Sequence, residues 1–133
     1  MSLAVVDASA LVAFYAAEDP GRETVAARLA VGDSLFAPAH LDVEIVSALR
    51  GLSRPNPTLR AAVPGALRHL AGFPIRRMPL VPLLQRIWEL RENLTAYDAA
   101  YVALAERLDG PLITCDGKLP GASGPRCTFA LMT

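Results

Sequence analysis

Cysteine is nearly missing from these 133 residues, with Cys115 and Cys127 alone, and lysine occurs once, at Lys118. Two cysteines without C-x-x-C spacing make neither a disulfide framework nor a zinc site. No apolar run approaches the roughly 18 residues that would span a bilayer. The opening MSLAVVDASALVAFYAAEDP is interrupted by Asp7, and it lacks the basic leader and small-residue cleavage site of a secretory signal. A reduced, soluble, cytoplasmic protein is expected. Excess charge of either sign is absent too: 13 basic residues balance 13 acids, so total charge neither requires nor excludes a polyanionic partner. Repeats and low-complexity tails are not found. What is present, 53% hydrophobic and 20% charged residues, suffices for one domain over residues 1–133 built on one core.

Residues 3–6 form a short apolar run ending at Asp7, as a buried strand does. Residues 8–17 read as a helix, and Asp19-Pro20 supplies an N-cap and first-turn proline for a second one towards Val31. A strand over 35–37 stops at Pro38, and a third helix covers 41–52. The segment 53–74 is punctuated by Pro55, Pro57, Pro64 and Pro74 with Gly65 and Gly72. It reads as one or two helices broken near Pro64, because an interior proline removes a hydrogen bond and clashes with the preceding turn. Residues 75–78 suit a third strand, 82–92 and 95–108 amphipathic helices, 111–114 and 128–132 the last strands. Strands alternating with helices predict an α/β protein with a parallel sheet covered on both faces, a three-layer sandwich. Ligands of open sheets lie beyond the carboxyl ends of strands, and Asp7 and Asp116 fall just there.

Each acid also has an ordinary explanation. Asp7 precedes a helix it could cap, although Ser9 could cap the same one. Asp98 follows Thr95 in a T-x-x-D pattern that resembles a capping box. On a helical wheel Tyr97, Tyr101, Leu104 and Leu108 form the apolar stripe, with Asp98 at its edge in line with Val102 and Ala105. Glu44 flanks the stripe of Leu41, Ile45, Ala48, Leu49 and Leu52. Asp42 lies nearer that stripe, in a first turn where the helix dipole favours an acid, and the wheel does not choose between them. Asp116 in Thr114-Cys115-Asp116-Gly117 fits a turn. Were Asp7, Glu44, Asp98 and Asp116 to converge, repulsion would reach about 4 kcal/mol per pair at roughly 4 Å and an effective dielectric of about 20. Protonation or a cation would have to relieve it. Oxygen-only ligands suit magnesium or manganese rather than zinc. Spacing alone does not show convergence.

Zero net charge hides an asymmetry. No acid occurs from Ile45 to Trp88, yet seven arginines run from Arg50 and Arg54 to Arg86. Guanidinium forks match phosphates, so this is either a rim that tracks RNA or a solvated face in a chain that prefers arginine. Trp88, Tyr97 and Tyr101 hold helical core positions and read as packing rather than base stacking. His40 and His69 lack a ligand set and read as structural, and Cys115 as a buried thiol.

VVDASALVA around Asp7, the Glu44 helix, LTAYDAAYVALAERL around Asp98 and LITCDGKL around Asp116 together resemble the four motifs of PIN-domain proteins. Among these the chain most resembles the VapC-type toxins of bacterial toxin–antitoxin pairs. The resemblance implies a five-stranded parallel sheet between helices and a magnesium- or manganese-dependent ribonuclease. Asp7, Glu44, Asp98 and Asp116 match the acidic quartet, and Ser9 and Thr114 match polar positions that support it. Asp7 and Asp98 would bind the main metal directly, and Glu44 and Asp116 through water or at a second ion. Water as nucleophile would leave a 5′-phosphate. RNA, a small antitoxin seated in the cleft and a second copy in a homodimer are the implied partners, with Arg50 and Arg54 on the RNA. The alternative is a non-catalytic PIN-like module that binds metal or RNA. A D-x-S-x-S adhesion loop fails because Leu11 stands where serine is required. A phospho-accepting receiver would need an acid after residues 75–78, and none is near.

Overall fold

Ala4, Val5 and Val6 are all fully buried, so β1 (Leu3–Val6) has no solvent face. A strand covered on both sides carries a continuous apolar run rather than an alternating one. The computed structural model describes residues 2–18 and 21–132. β1 is followed by α1 (Ala8–Ala16), α2 (Gly21–Leu29), β2 (Ser34–Pro38), α3 (Leu41–Ser53), α4 (Pro57–Gly72) and β3 (Ile75–Met78). After a 3-10 turn at Val81–Leu83 come α5 (Leu84–Glu89), α6 (Ala96–Leu108), β4 (Leu112–Thr114), a second 3-10 turn at Leu119–Gly121, and β5 (Phe129–Leu131). The Asp19-Pro20 start expected for the second helix lies outside the described residues.

The five strands lie in the order β3-β2-β1-β4-β5, and every recorded pairing is parallel. Val5 is flanked by Phe36 on β2 and Leu112 on β4. The chain moves outward from β1 to β3, then crosses back to β4 on the other side of β1. Right-handed crossovers therefore put the helices before and after β3 on opposite faces. In keeping with this, α1 packs on α2 and α3, α3 on α4, and α5 on α6, which lies over β1 and β2. The expected three-layer α/β sandwich is what forms. Its topological switch is beside β1, between β2 and β4, where such sheets open a crevice at their carboxyl ends.

Three expectations need correcting. Helix α4 is continuous through Pro64. That residue is exposed, on a face where a carbonyl that loses its amide partner can be hydrated, so a proline there need not end the helix. The helix expected over 82–92 is only a 3-10 turn and the six-residue α5. Trp88 and Tyr97 are not packed: they are 66% and 64% exposed, whereas Tyr101 is 1% exposed. Helix α6 does not bury a stripe. Every residue from Ala99 to Ala105 is buried, because its alanines let sheet and neighbouring helices close around it, while Tyr97 sits before that contact begins.

Arg77 ties the segment after α4 to α3. Its guanidinium meets Asp42 at 2.9 and 3.2 Å and donates to the carbonyls of Leu70, Phe73 and Ile75. The Leu70 and Phe73 carbonyls also accept the Phe73 and Ile75 amides, so one arginine adds a second donor there and clamps the turn between α4 and β3.

Candidate active site

Asp7 ends β1 and caps α1, its carboxylate accepting the Ala10 N–H at 3.1 Å and the Ser9 hydroxyl at 2.6 Å. The ordinary capping role is therefore real, but it is incomplete. A capping acid is normally favoured in its charged form by the helix N-terminus. Here the side chain is only 5% exposed, and burial pushes its carboxyl up to about 6. Hydrogen bonds from Ser9, Thr114 and Ala10 pull the other way, and the charge of Asp98 adds to the rise.

Ser9 does not cap the helix. Its hydroxyl, donated to Asp7, accepts the Cys115 N–H at 2.9 Å and lies 3.3 Å from the Thr114 hydroxyl. Thr114, fully buried, accepts the Asp116 N–H at 3.0 Å. The ends of β1 and β4 are thereby joined through side chains. Asp116 accepts the Lys118 N–H at 3.0 Å, an Asx turn that fixes the carboxylate just past the strand.

Asp98 opens α6, where Thr95 is the N-cap and accepts the Asp98 N–H at 3.1 Å. Half-buried, its carboxyl is raised first by burial, then by the charges of Asp116 and Glu44, against a Thr95 hydrogen bond and His40. Asp98 thus feels two of the other acids and is felt by the third. Glu44, on the first turn of α3, accepts the Tyr101 hydroxyl at 2.6 Å and lies 3.2 Å from the His40 Nε2. Burial raises its carboxyl, but the hydrogen bonds of His40 and Tyr101 outweigh it and hold the group below the usual range. Arg77 occupies Asp42, whereas no arginine among the described residues meets Glu44.

Sequence reasoning gave His40 a structural role and Tyr101 a packing role, and did not link either to Glu44. Both carried a signal: His40 is four residues before Glu44, and Tyr101 three after Asp98, which are same-face spacings on a helix. The His40 Nδ1 is buried without a hydrogen-bond partner among the described residues. Arg50 and Arg54 are exposed on α3 and its C-cap. Arg77 and Arg86 are engaged by Asp42, Glu106 and Glu89, so the basic segment is less free than its sequence suggests.

The chain itself matches a known family. A family model of the PIN domain matches residues 4–124. The chain belongs to the PIN domain family. Ribonuclease VapC12 of Mycobacterium tuberculosis is 41% identical over 133 residues, covering 96% of this chain and 98% of that protein. Ribonuclease VapC9 of the same organism is 38% identical over 128 residues, covering 96% and 97%. Among solved structures, Mycobacterium tuberculosis VapC20, described as a Sarcin-Ricin loop cleaving toxin, superposes with a TM-score of 0.67 at 20% identity over 89% of this chain and 93% of that one. VapBC2 from Rickettsia felis, solved with a DNA fragment from their promoter, gives 0.69 at 10% identity over 98% and 99%. At those identities the two structures speak to the fold alone.

In this PIN domain the acids do not form a ready-made cage: among the described residues no three His, Cys, Asp or Glu side chains stand in a metal-ligating group. Magnesium keeps several waters and takes one or two carboxylates, so an open set of oxygen donors fits it better than an all-protein shell would. No helix among the described residues is long and apolar enough to cross a membrane.

Proposed function

We propose that this PIN domain is a cytoplasmic endoribonuclease that depends on magnesium or manganese and serves as the toxin of a toxin–antitoxin pair. The observation that carries the reading is Asp7, a carboxylate held almost out of water with its protonation raised to about 6 and with Asp98 rather than an arginine beside it. Asp7 and Asp98 hold the cation, and Glu44 and Asp116 complete the set through water or at a second ion. When bound, such a cation lowers the pKa of a water and stabilises the departing oxygen. Ser9 and Thr114 fix the Asp7 carboxylate, and Tyr101 with His40 fixes Glu44. The exposed guanidinium groups of Arg50 and Arg54 serve RNA phosphates.

Relatives at 38–41% identity that are named VapC ribonucleases support the activity, and membership of that toxin type is the ground for a small antitoxin as partner. Val81, Leu84 and Trp88, exposed at spacings of three and four residues around α5, suit a second copy of the chain.

Incubating a total RNA pool with the protein in magnesium, manganese or EDTA tests the proposal. Cleavage is expected only with metal, and Asp98→Asn should lower it by about a hundredfold or more. Full cleavage in EDTA, or by the variant, would refute it.

A further inference from the structure

Val43, Ser47, Arg50 and Arg54 follow one another at spacings of four, three and four residues, so they occupy a single stripe of α3. All four are exposed, Val43 at 72%. Tyr97 meets the first end of this stripe. It lines, with Val43, Glu44, Ser47 and Ala48, one open cavity of about 430 Å³. The His40 Nε2 lies 3.1 Å from the Tyr97 carbonyl, so the backbone under the ring is fixed, while the ring itself stays 64% exposed next to Asp98. Packing does not account for an aromatic side chain left in water at the mouth of a cleft.

We propose that this stripe is an RNA track. An unpaired base stacks on Tyr97 over Val43, and the strand then runs along α3 so that its phosphates reach Arg50 and Arg54. The proposal rests on the ribonuclease reading and adds the route by which the strand leaves the cleft. Charge sets the order along the track. Glu44 repels a phosphate but tolerates a neutral base, so the base belongs in the cavity and the phosphates further on. Eleven residues from Val43 to Arg54 span about 16 Å at a rise of about 1.5 Å each, room for a short stretch of extended strand. Stacking demands an unpaired base and accepts any of the four. Arginine forks add affinity without sequence choice. Ser47 contributes a hydroxyl on the cavity wall that can meet a base edge.

A fluorescein-labelled single-stranded RNA, bound in EDTA so that no cleavage intervenes, tests this with a scan of single abasic positions. One abasic position should weaken binding to the native protein by roughly five- to tenfold. Tyr97→Ala should weaken binding of intact RNA by a similar factor and become indifferent to that position, and Tyr97→Phe should behave as the native chain. Melting temperatures show whether the variants fold. Native affinity in Tyr97→Ala overturns the proposal. So does a loss of affinity in that variant without the position-specific coupling. A change of oligomeric state in its place would assign Tyr97 to a protein contact and likewise overturn it. Because binding is read without metal, failure of cleavage in the RNA pool leaves this result standing, and the reverse also holds.

Discussion

Glu106 and Asp98 lie eight residues apart on the same helix, and their surroundings differ completely. Glu106 is gripped by Arg86 at 2.7 and 3.1 Å and also accepts the Arg126 N–H at 2.7 Å. Burial raises its carboxyl, but the Arg86 hydrogen bonds prevail and hold it below the ordinary range. Asp98 has a comparable degree of burial and gets two further carboxylates, Asp116 and Glu44, which push it up. Among the described residues no arginine pairs with Asp7, Glu44, Asp98 or Asp116. With 12 arginines in the chain, positive charge was available. At one end of α6 it is used to close an ion pair, and at the other it is withheld. Acids left without a basic partner in a cleft, when the same helix pairs its other acid, are the contrast on which the proposed cation site rests.

The largest test of that contrast is Asp7→Asn. The folded carboxyl titrates at about 6 against an ordinary 3.8. The folded state therefore holds its proton more tightly, and ionising Asp7 destabilises it progressively as pH rises from about 4 to about 6. Above that window the loss is about 3 kcal/mol. In EDTA at pH 7, Asp7→Asn should gain up to about that amount while losing cleavage by about a hundredfold or more. Magnesium should raise the melting temperature of the native chain at pH 7, much less at pH 5, and not that of the variant. A metal-induced shift that is equal at both pH values would contradict the role given to Asp7.

Arg86→Ala is the converse. It strands Glu106 in a half-buried position and should cost about 2 kcal/mol in urea unfolding, leaving metal-dependent cleavage at the native rate. Loss of cleavage without loss of stability would erase the distinction between the two ends of α6. The smallest effect concerns the outer rim. Arg50→Ala with Arg54→Ala should leave the melting temperature unchanged and reduce the slope of log affinity for single-stranded RNA against log salt by roughly 1.4 for two phosphates. An unchanged slope would remove both residues from the RNA.

β1 and β2 were legible because each carries a short apolar run, closed by Asp7 and by Pro38, and a strand buried in a parallel sheet needs little else. β3 holds two arginines in four residues and was marked by its place between helices. Pro64 misled because the rule that proline breaks a helix assumes the freed carbonyl has nowhere to turn, and on an exposed face it can be hydrated. Tyr97 and Trp88 misled for a different reason. Periodicity marks which side chains share a face, not which faces are covered, and a helix as rich in alanine as α6 is buried all round wherever its neighbours reach. The proposed acidic quartet was named from resemblance rather than from the wheel. Glu44 and Asp42 differ through Arg77, which is 35 residues from Asp42, and no local pattern reports such a partner.

Ser9 has one further consequence. A single hydroxyl group links Asp7 to the amide of Cys115, so strand ends more than a hundred residues apart in the chain are tethered by one rotor. The spacing between the β1 acid and the β4 turn is then inherited from the pairing of β1 with β4 and not from the loops around it. If the proposed ion binds here, the position of Asp7 relative to Asp116 is set before it arrives, and the helices around the cleft can vary without disturbing it.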